Sequence, residues 1–254
     1  MKLKDKVAII TGASKGIGKA IAERYAQEGA RVVLASRSIK VLEKIANRIK
    51  ESGGQALAMA VDVCDHQSIE DLVRRTVSEY SSLDIMVNNA GISSTHASVD
   101  LTPEIWDRAV KTDLYGVFYG CQSAARVMIN QTSGGCIINI TSMYGISAVP
   151  MRAAYCASKA GANMLTRVLS SEWASYGIRV NAIAPGYIRT ELVQDIIDRG
   201  ILNTEAIEKR TPLGRIGEVR DIEGMAVYLA GEEASFVTGS IFTVDGGWTA
   251  YGYI

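Results

Sequence analysis

Short, almost unbroken apolar runs recur along the chain at residues 7–11, 31–36, 56–61, 84–88, 135–141, 178–184 and 240–244. Such runs are the pattern of strands buried on both faces of a parallel sheet. Between them, residues 15–28, 38–52, 66–80, 103–130 and 153–176 carry apolar positions at helical spacing. This alternation calls for right-handed crossovers. It predicts an α/β fold, a doubly wound parallel sheet of about seven strands with helices on both faces. Residues 187–217 break the rhythm ahead of a further helix at 218–231, so a longer insert is expected there. No Pro/Gly/Ser-rich linker, repeat or low-complexity segment divides the chain, and residues 1–254 are expected to form one domain.

Composition narrows the function classes. Lys+Arg and Asp+Glu both number 27, which leaves no basic excess to attract nucleic acid or a membrane surface. No stretch approaches the ~20 apolar residues of a membrane helix. In MKLKDKVAIITGAS the apolar run is too short for a signal peptide and ends in a turn signal, so a first strand is expected. Cys64, Cys121, Cys136 and Cys156 form no CxxC pair, and the chain has two histidines. No metal site is expected; the pattern suits reduced, buried thiols in a cytoplasmic protein.

The first chemical signal is TGASKGIG, residues 11–18, between the first strand and the first helix. Gly12 permits a tight turn, while Gly16 and Gly18 let backbone approach a pyrophosphate and the helix pack on the sheet. The helix N-terminus then offers unpaired N–H groups and a partial positive charge to phosphates. Gly12, Ser14, Lys15, Gly16, Ile17 and Gly18 are thus the expected dinucleotide contacts of this turn.

The second signal is Tyr155-Cys156-Ala157-Ser158-Lys159, near the start of a helix. Positions i and i+4 share a helix face, so phenol and ammonium sit together. A phenol in water ionises near pH ~10, and a phenolate working near neutrality needs about 4 kcal/mol of extra stabilisation. A neighbouring ammonium and a positively charged ring system can supply that. Alone, such a pair is usually a surface feature; Ser142, at the carboxyl end of the run 135–141, changes the context. Ligands of open α/β sheets bind at that end of the strands, where a hydroxyl can hold a ketone oxygen while Tyr155 handles the proton.

Taken together, the chain resembles the short-chain dehydrogenase/reductases over essentially its full length. The motifs run in family order: TGASKGIG at 11–18, DVCD at 62–65, NNAG at 88–91, Ser142, YCASK at 155–159 and PGYIRT at 185–190. The resemblance implies a Rossmann-type fold and an NAD(P)-dependent oxidoreductase interconverting a secondary alcohol and a ketone through Ser142, Tyr155 and Lys159. It implies adenine contacts from Asp62 and Val63, a cofactor floor of Asn89, Ala90 and Gly91, and a ribose contact from Lys159. Pro185, Gly186, Ile188 and Thr190 would flank the nicotinamide. It also implies a homotetramer, with helices 103–130 and 153–176 pairing between subunits and the tail Gly247–Ile254, with Trp248, Tyr251 and Tyr253, buried at another contact. One position departs from the family: Asp113 stands in DLYG where an asparagine is usual. An aspartate accepts similar hydrogen bonds but has no N–H donor and brings a charge near Lys159. Catalysis is expected to survive with an altered proton relay.

The second strand ends in Ser36-Arg37, where an NAD site usually carries an acid. With Lys15 as a second cation, this favours the 2′-phosphate of NADP(H), NAD(H) remaining the alternative. The family's pocket segments are here Ile92–Thr95, Met143–Arg152 and Tyr187–Arg215, a mixture suited to a small polar substrate of sugar, polyol, hydroxy acid or 3-oxoacyl type. Tyr187 and Arg152 join Ser142 and Tyr155 as candidate substrate contacts. Arg152, in VPMRAAY, either binds an anionic substrate group or caps the helix entrance. A cofactor-binding sensor or scaffold without turnover, and an epimerase or dehydratase on the same scaffold, remain the competing functions.

Overall fold

The computed structural model describes residues 1–93, 95–200 and 202–252. Seven parallel strands form the main sheet in the order β3-β2-β1-β4-β5-β6-β9. They are β1 Val7–Thr11, β2 Arg31–Ser36, β3 Gln55–Ala60, β4 Ile85–Asn88, β5 Gly135–Ile140, β6 Ile178–Pro185 and β9 Ile241–Val244. The remaining strands, β7 Ile188–Arg189 and β8 Gly217–Glu218, form a separate ribbon. Because β1 and β4 are adjacent but not consecutive, the sheet reverses its order there, and a crevice opens at the carboxyl ends of the strands.

Two apolar layers hold the sheet. Alternate residues Ala8, Ile10, Val32, Leu34, Ile85 and Ile138 pack on one side with α1 Gly16–Gln27, α2 Ile39–Glu51 and α9 Val219–Ala230. Their neighbours Ile9, Val33, Met86, Ile137 and Val180 face the other side. There they meet α3 His66–Tyr80, α5 Gly116–Asn130 and α6 Ala153–Trp173. The helix ends are legible chemistry. In α2 the stripe Leu42, Ile45, Ala46 and Ile49 is buried. α3 starts where Asp65 accepts the Gln67 N–H and stops at Ser81, whose φ of 65° is left-handed. A capping box between Glu218 and Asp221 opens α9.

The expected helix 103–130 is in three parts. Thr102 caps α4 Pro103–Val110, a π-helical turn follows over Lys111–Tyr115, and α5 continues the path. The insert at 187–217 holds α7 Glu191–Asp198 and α8 Thr204–Arg210 besides the β7–β8 ribbon; Ile201 lies outside the described residues. Cys121 and Cys136 are buried as expected, but Cys156 is half-buried and Cys64 exposed, since Cys64 sits in the loop leaving β3 rather than in a core strand. Among the described residues no helix is long and apolar enough to cross a membrane.

A polar chain runs through the second layer below the crevice. Asn88 Nδ2 donates to Asn139 Oδ1 (2.9 Å), and Asn139 Nδ2 donates to Thr166 Oγ1 (2.9 Å), joining β4, β5 and α6. All three residues are buried, so each bond spares a desolvated polar group. Asn139→Ala removes both bonds and leaves the Asn88 amide only the Cys121 sulfur (3.3 Å) and the Thr166 hydroxyl only the Ala162 carbonyl (2.9 Å), an expected loss of about 1–3 kcal/mol and roughly 2–10 °C in Tm by calorimetry. An unchanged Tm would show that the chain of amides does not hold these elements.

Candidate active site

The crevice begins where β1 runs into α1. Gly12 (φ 66°) and Gly16 (φ 57°) adopt left-handed backbone. A Cβ on Gly12 would lie 2.8 Å from Asn89 Nδ2 and 2.9 Å from the Ala90 Cα, and one on Gly18 would also collide with the Asn89 amide. The glycine turn is therefore pressed against the loop leaving β4. Thr11 stitches that seam: its hydroxyl accepts the N–H groups of Asn89 (3.0 Å) and Ala90 (3.1 Å) and donates to the Val87 carbonyl (3.3 Å). Sequence reasoning gave Thr11 no role, although its place as last residue of a buried strand was a signal.

The Gly16 N–H, at the start of α1, donates to Glu191 Oε2 at 2.9 Å, with Lys19 Nζ 3.5 Å from the other oxygen. Glu191 opens α7, and its carboxylate oxygens stand in for those of a phosphate at a helix N-terminus. The turn thus fits a dinucleotide's pyrophosphate. Hydrogen bonds from its own backbone N–H and from Gly16, with Lys19 beside it, hold Glu191 below the usual carboxylate range against the opposing effect of burial. Sequence reasoning missed Glu191 because nothing local places residue 191 beside residue 16. Thr190 caps α7 and lies 3.3 Å from where a Gly16 Cβ would be, which brings PGYIRT to the glycine turn. Ile17 packs on the first apolar layer, and Ser14 is half-buried.

Lys15 and Arg37 are exposed, and neither has a side-chain partner among the described residues. Ser36 accepts the Ser38 N–H at 3.2 Å, shaping the turn that carries Arg37. Asp62 is exposed and accepts the Cys64 N–H (3.0 Å). Val63 is buried, 3.1 Å from the position of a Gly116 Cβ, so its side chain is committed to packing.

Where β5 ends, Ser142 caps a single 3₁₀ turn, its hydroxyl oxygen accepting the Tyr144 N–H at 3.1 Å. Lys159, on α6, is 4% exposed; its ammonium donates to the Ile140 carbonyl at 3.1 Å and lies 5.7 Å from the centre of the Tyr155 ring. Ser142, Tyr155 and Lys159 thus converge at the carboxyl end of β5. The π turn delivers Asp113 to the same place from the opposite helix. Its Oδ1 accepts the Ile92 N–H at 3.0 Å and lies 3.5 Å from Lys159 Nζ. Asp113 is fully buried, and its Oδ2 has no hydrogen-bond partner among the described residues. Burial pushes its carboxyl above the usual range, against the pull of Lys159 and the Ile92 N–H. A Cβ on Gly91 would lie 2.6 Å from Asp113 Oδ1, so the third residue of the expected cofactor floor must be glycine.

Beyond Ser142 the wall turns aromatic. Tyr144 and Tyr187 share a hydrogen bond (2.9 Å), and Tyr187 meets Trp248 edge to face, centroids 5.4 Å apart. Burial, then the bond to Tyr187, pushes the Tyr144 phenol well above its ordinary range. Pro185 and Gly186 lie against β9: a Gly186 Cβ would be 2.7 Å from the Asp245 Cα, and Ile188 pairs with Gly217. Arg152 precedes α6, aimed by Met151, whose φ of 66° is left-handed. It donates to Ser93 Oγ (2.8 Å) and forms no salt bridge among the described residues; Ser94 lies outside them.

The tail is tied to the insert within the chain itself. Arg210 stacks on Trp248 (4.8 Å) and donates to the carbonyls of Trp248 (3.3 Å) and Tyr251 (2.8 Å). Trp248 is therefore sheltered by its own chain, through a guanidinium that sequence reasoning had not linked to it. Tyr253 and Ile254 lie outside the described residues.

Known proteins bear on this geometry. A family profile described as enoyl-(acyl carrier protein) reductase matches residues 12–249. A 3-oxoacyl-[acyl-carrier-protein] reductase of Thermotoga maritima is 36% identical over 247 residues, covering 97% of this chain and 99% of that one. A short-chain type dehydrogenase/reductase from Mycobacterium marinum superposes with a TM-score of 0.93 at 40% identity, over 98% of both chains. A structure with bound NADP from Agrobacterium tumefaciens, described as a 2-deoxy-D-gluconate 3-dehydrogenase, superposes with a TM-score of 0.89 at 36% identity, again over 98% of both. The match spans the glycine turn, the Ser142–Tyr155–Lys159 corner and the β9 edge alike, and this chain belongs to the NAD(P)-dependent short-chain dehydrogenases/reductases.

Proposed function

We propose that the chain is an NADP(H)-preferring oxidoreductase that interconverts a small polar secondary alcohol and its ketone, with Tyr155 as the acid/base. One observation carries this reading: Lys159 is bonded to the last carbonyl of β5, two residues from Ser142, while its charge lies beside the Tyr155 ring. The bound dinucleotide would supply or accept the hydride at its nicotinamide. Ser142 would hold the substrate oxygen by its hydroxyl proton, its oxygen being already engaged by Tyr144. Tyr155 would give that oxygen its proton in reduction and remove it in oxidation, the buried ammonium of Lys159 stabilising the phenolate. Tyr155→Phe is expected to lower turnover by ~10²–10⁴-fold with little change in cofactor affinity, read by NADPH absorbance over a carbonyl and alcohol panel. Retention of half the activity would overturn the assignment.

Gly12, Gly16, Gly18 and Thr190 would cradle the pyrophosphate, Asp62 and Val63 would border the adenine, and Asn89, Ala90, Gly91, Pro185, Gly186 and Ile188 would line the nicotinamide half. NADP(H) is preferred because Arg37 and Lys15 are two exposed cations without side-chain partners among the described residues, Arg37 just past the end of β2 and Lys15 in the glycine turn. Arg37→Asp should raise the Michaelis constant for NADPH roughly 10- to 150-fold while that for NADH changes little. Equal effects on both cofactors would reject this role.

For the substrate, the paired phenols of Tyr144 and Tyr187 and the edge of Trp248 suit a compact hydroxylated molecule. Arg152, held by Ser93 alone among the described residues, can bind a carboxylate or phosphate on it. Arg152→Ala should cost an anionic ketone roughly tenfold or more in kcat/KM relative to a neutral isostere. Equal losses would leave Arg152 a structural residue. A homotetramer is supported by Met164 and Val168, one turn apart on α6 and 55% and 44% exposed, which water would disfavour. The free thiols suit a reducing cytoplasm.

A further inference from the structure

An ionised carboxylate taken fully out of water needs partners at both oxygens. Asp113 has them at one. Its Oδ1 takes the Ile92 N–H at 3.0 Å, whereas Oδ2 is buried with no partner among the described residues. The approach of Lys159 does not compensate. At 3.5 Å it is longer than the ~2.7–2.9 Å of a charge-assisted hydrogen bond, and the ammonium makes its shorter bond to the Ile140 carbonyl, at 3.1 Å. The group is fully buried from the surface, and Gly91 presses on Oδ1 so closely that no Cβ would fit.

We propose that Asp113 stands in the resting enzyme as a neutral carboxylic acid with its proton on Oδ2, so that Lys159 keeps its full charge toward Tyr155 until Asp113 ionises. The proton removes the charge from an oxygen that has no partner among the described residues, a smaller cost than a bare buried carboxylate, and gives the side chain the donor–acceptor pair of an amide. The surrounding charges agree. From α6, Asp113 is faced by Lys159 and, beyond the ammonium, by the Tyr155 phenol. From the exit of β4 it meets backbone alone, at Gly91 and Ile92. On its own helical path Arg108, Lys111 and Tyr115 are exposed. Among the described residues Lys159 is thus the one charge that draws Asp113 toward ionisation, and burial works in the other direction.

Asp113 is then a positioning residue with a built-in alkaline limit. When its O–H bond breaks and the proton leaves to solvent, the new carboxylate neutralises Lys159, and the phenolate of Tyr155 loses its stabiliser. The activity consequence rests on the function proposed above, but the protonation state does not.

Infrared spectroscopy of the cofactor-free wild type tests it directly. A carbonyl stretch of a protonated carboxyl should be present near neutral pH, should vanish as pH rises, and should be missing from Asp113→Asn. Absence of that band in the wild type overturns the proposal, and this measurement needs no variant that folds. Thermal stability provides an independent sign. A carboxyl whose ionisation is raised by folding contributes stability that is complete below its unfolded-state value and is lost as pH rises through the folded one. The Tm of the wild type should therefore fall relative to Asp113→Asn by roughly 5 °C or more between pH ~4 and neutrality. A gap that moves the other way would mean an ionised partner of Lys159 and would reject the neutral acid. In alcohol oxidation, the wild type should lose rate about tenfold per pH unit beyond the ionisation, and Asp113→Asn should stay flat. If no alcohol in the panel is oxidised while the infrared band is present, the proposed function fails and the neutral acid stands.

Discussion

The bond from the Lys159 ammonium to the Ile140 carbonyl is the contact on which the candidate site depends. A buried ammonium must place its donors well or lose the cost of its dehydration. Here one donor is spent on the end of β5, and that fixes the height of α6 against the sheet. The helix then carries Tyr155 one turn away, and the strand carries Ser142 two residues on. A shift of α6 by one residue would break the bond and turn Tyr155 off the crevice together. The corner is rigid because a polar group that cannot be solvated has one place to go.

The rest of the fold supplies two surfaces for this corner to work between. The parallel sheet points every strand's carboxyl end to one edge, and the order reversal between β1 and β4 opens that edge. On the glycine-turn side, the Thr11 hydroxyl and the Asn89 amide hold the turn against the loop leaving β4, at a distance that leaves no room for a Cβ on Gly12 or Gly18. Across the crevice, the β7–β8 ribbon and the aromatic group of Tyr144, Tyr187 and Trp248 form a wall from segments distant in sequence. Arg210 binds that wall to the chain's last described residues, so the insert and the tail behave as one piece of structure.

Much of this was legible from the sequence. Strand burial on both faces leaves long apolar runs, and all seven main-sheet strands coincide with such runs within a residue or two. The glycines, Ser142, Tyr155 and Lys159 were readable because backbone approach and i, i+4 spacing are local constraints. What escaped is set by tertiary contact. Glu191 reaches Gly16 across 175 positions, and the phenols of Tyr144 and Tyr187 meet across 43. The π turn escaped for another reason: a segment such as KTDLY has ordinary helix formers, and nothing local in it marks a widened turn.

That turn sets the rotational phase of a long helical rod. An α-helix advances about 100° per residue, so one residue added inside a π turn separates two rods that face different neighbours. Both halves touch α6, but α5 behind the turn also packs on α3, β4 and β5. Asp113 lies at the joint, and neither half could be slid by one residue to correct the other. In a lineage of such chains the segment would tolerate changes of side chain far more readily than changes of length, because a lost residue would restore a regular helix and twist one whole face of the molecule out of register with the site.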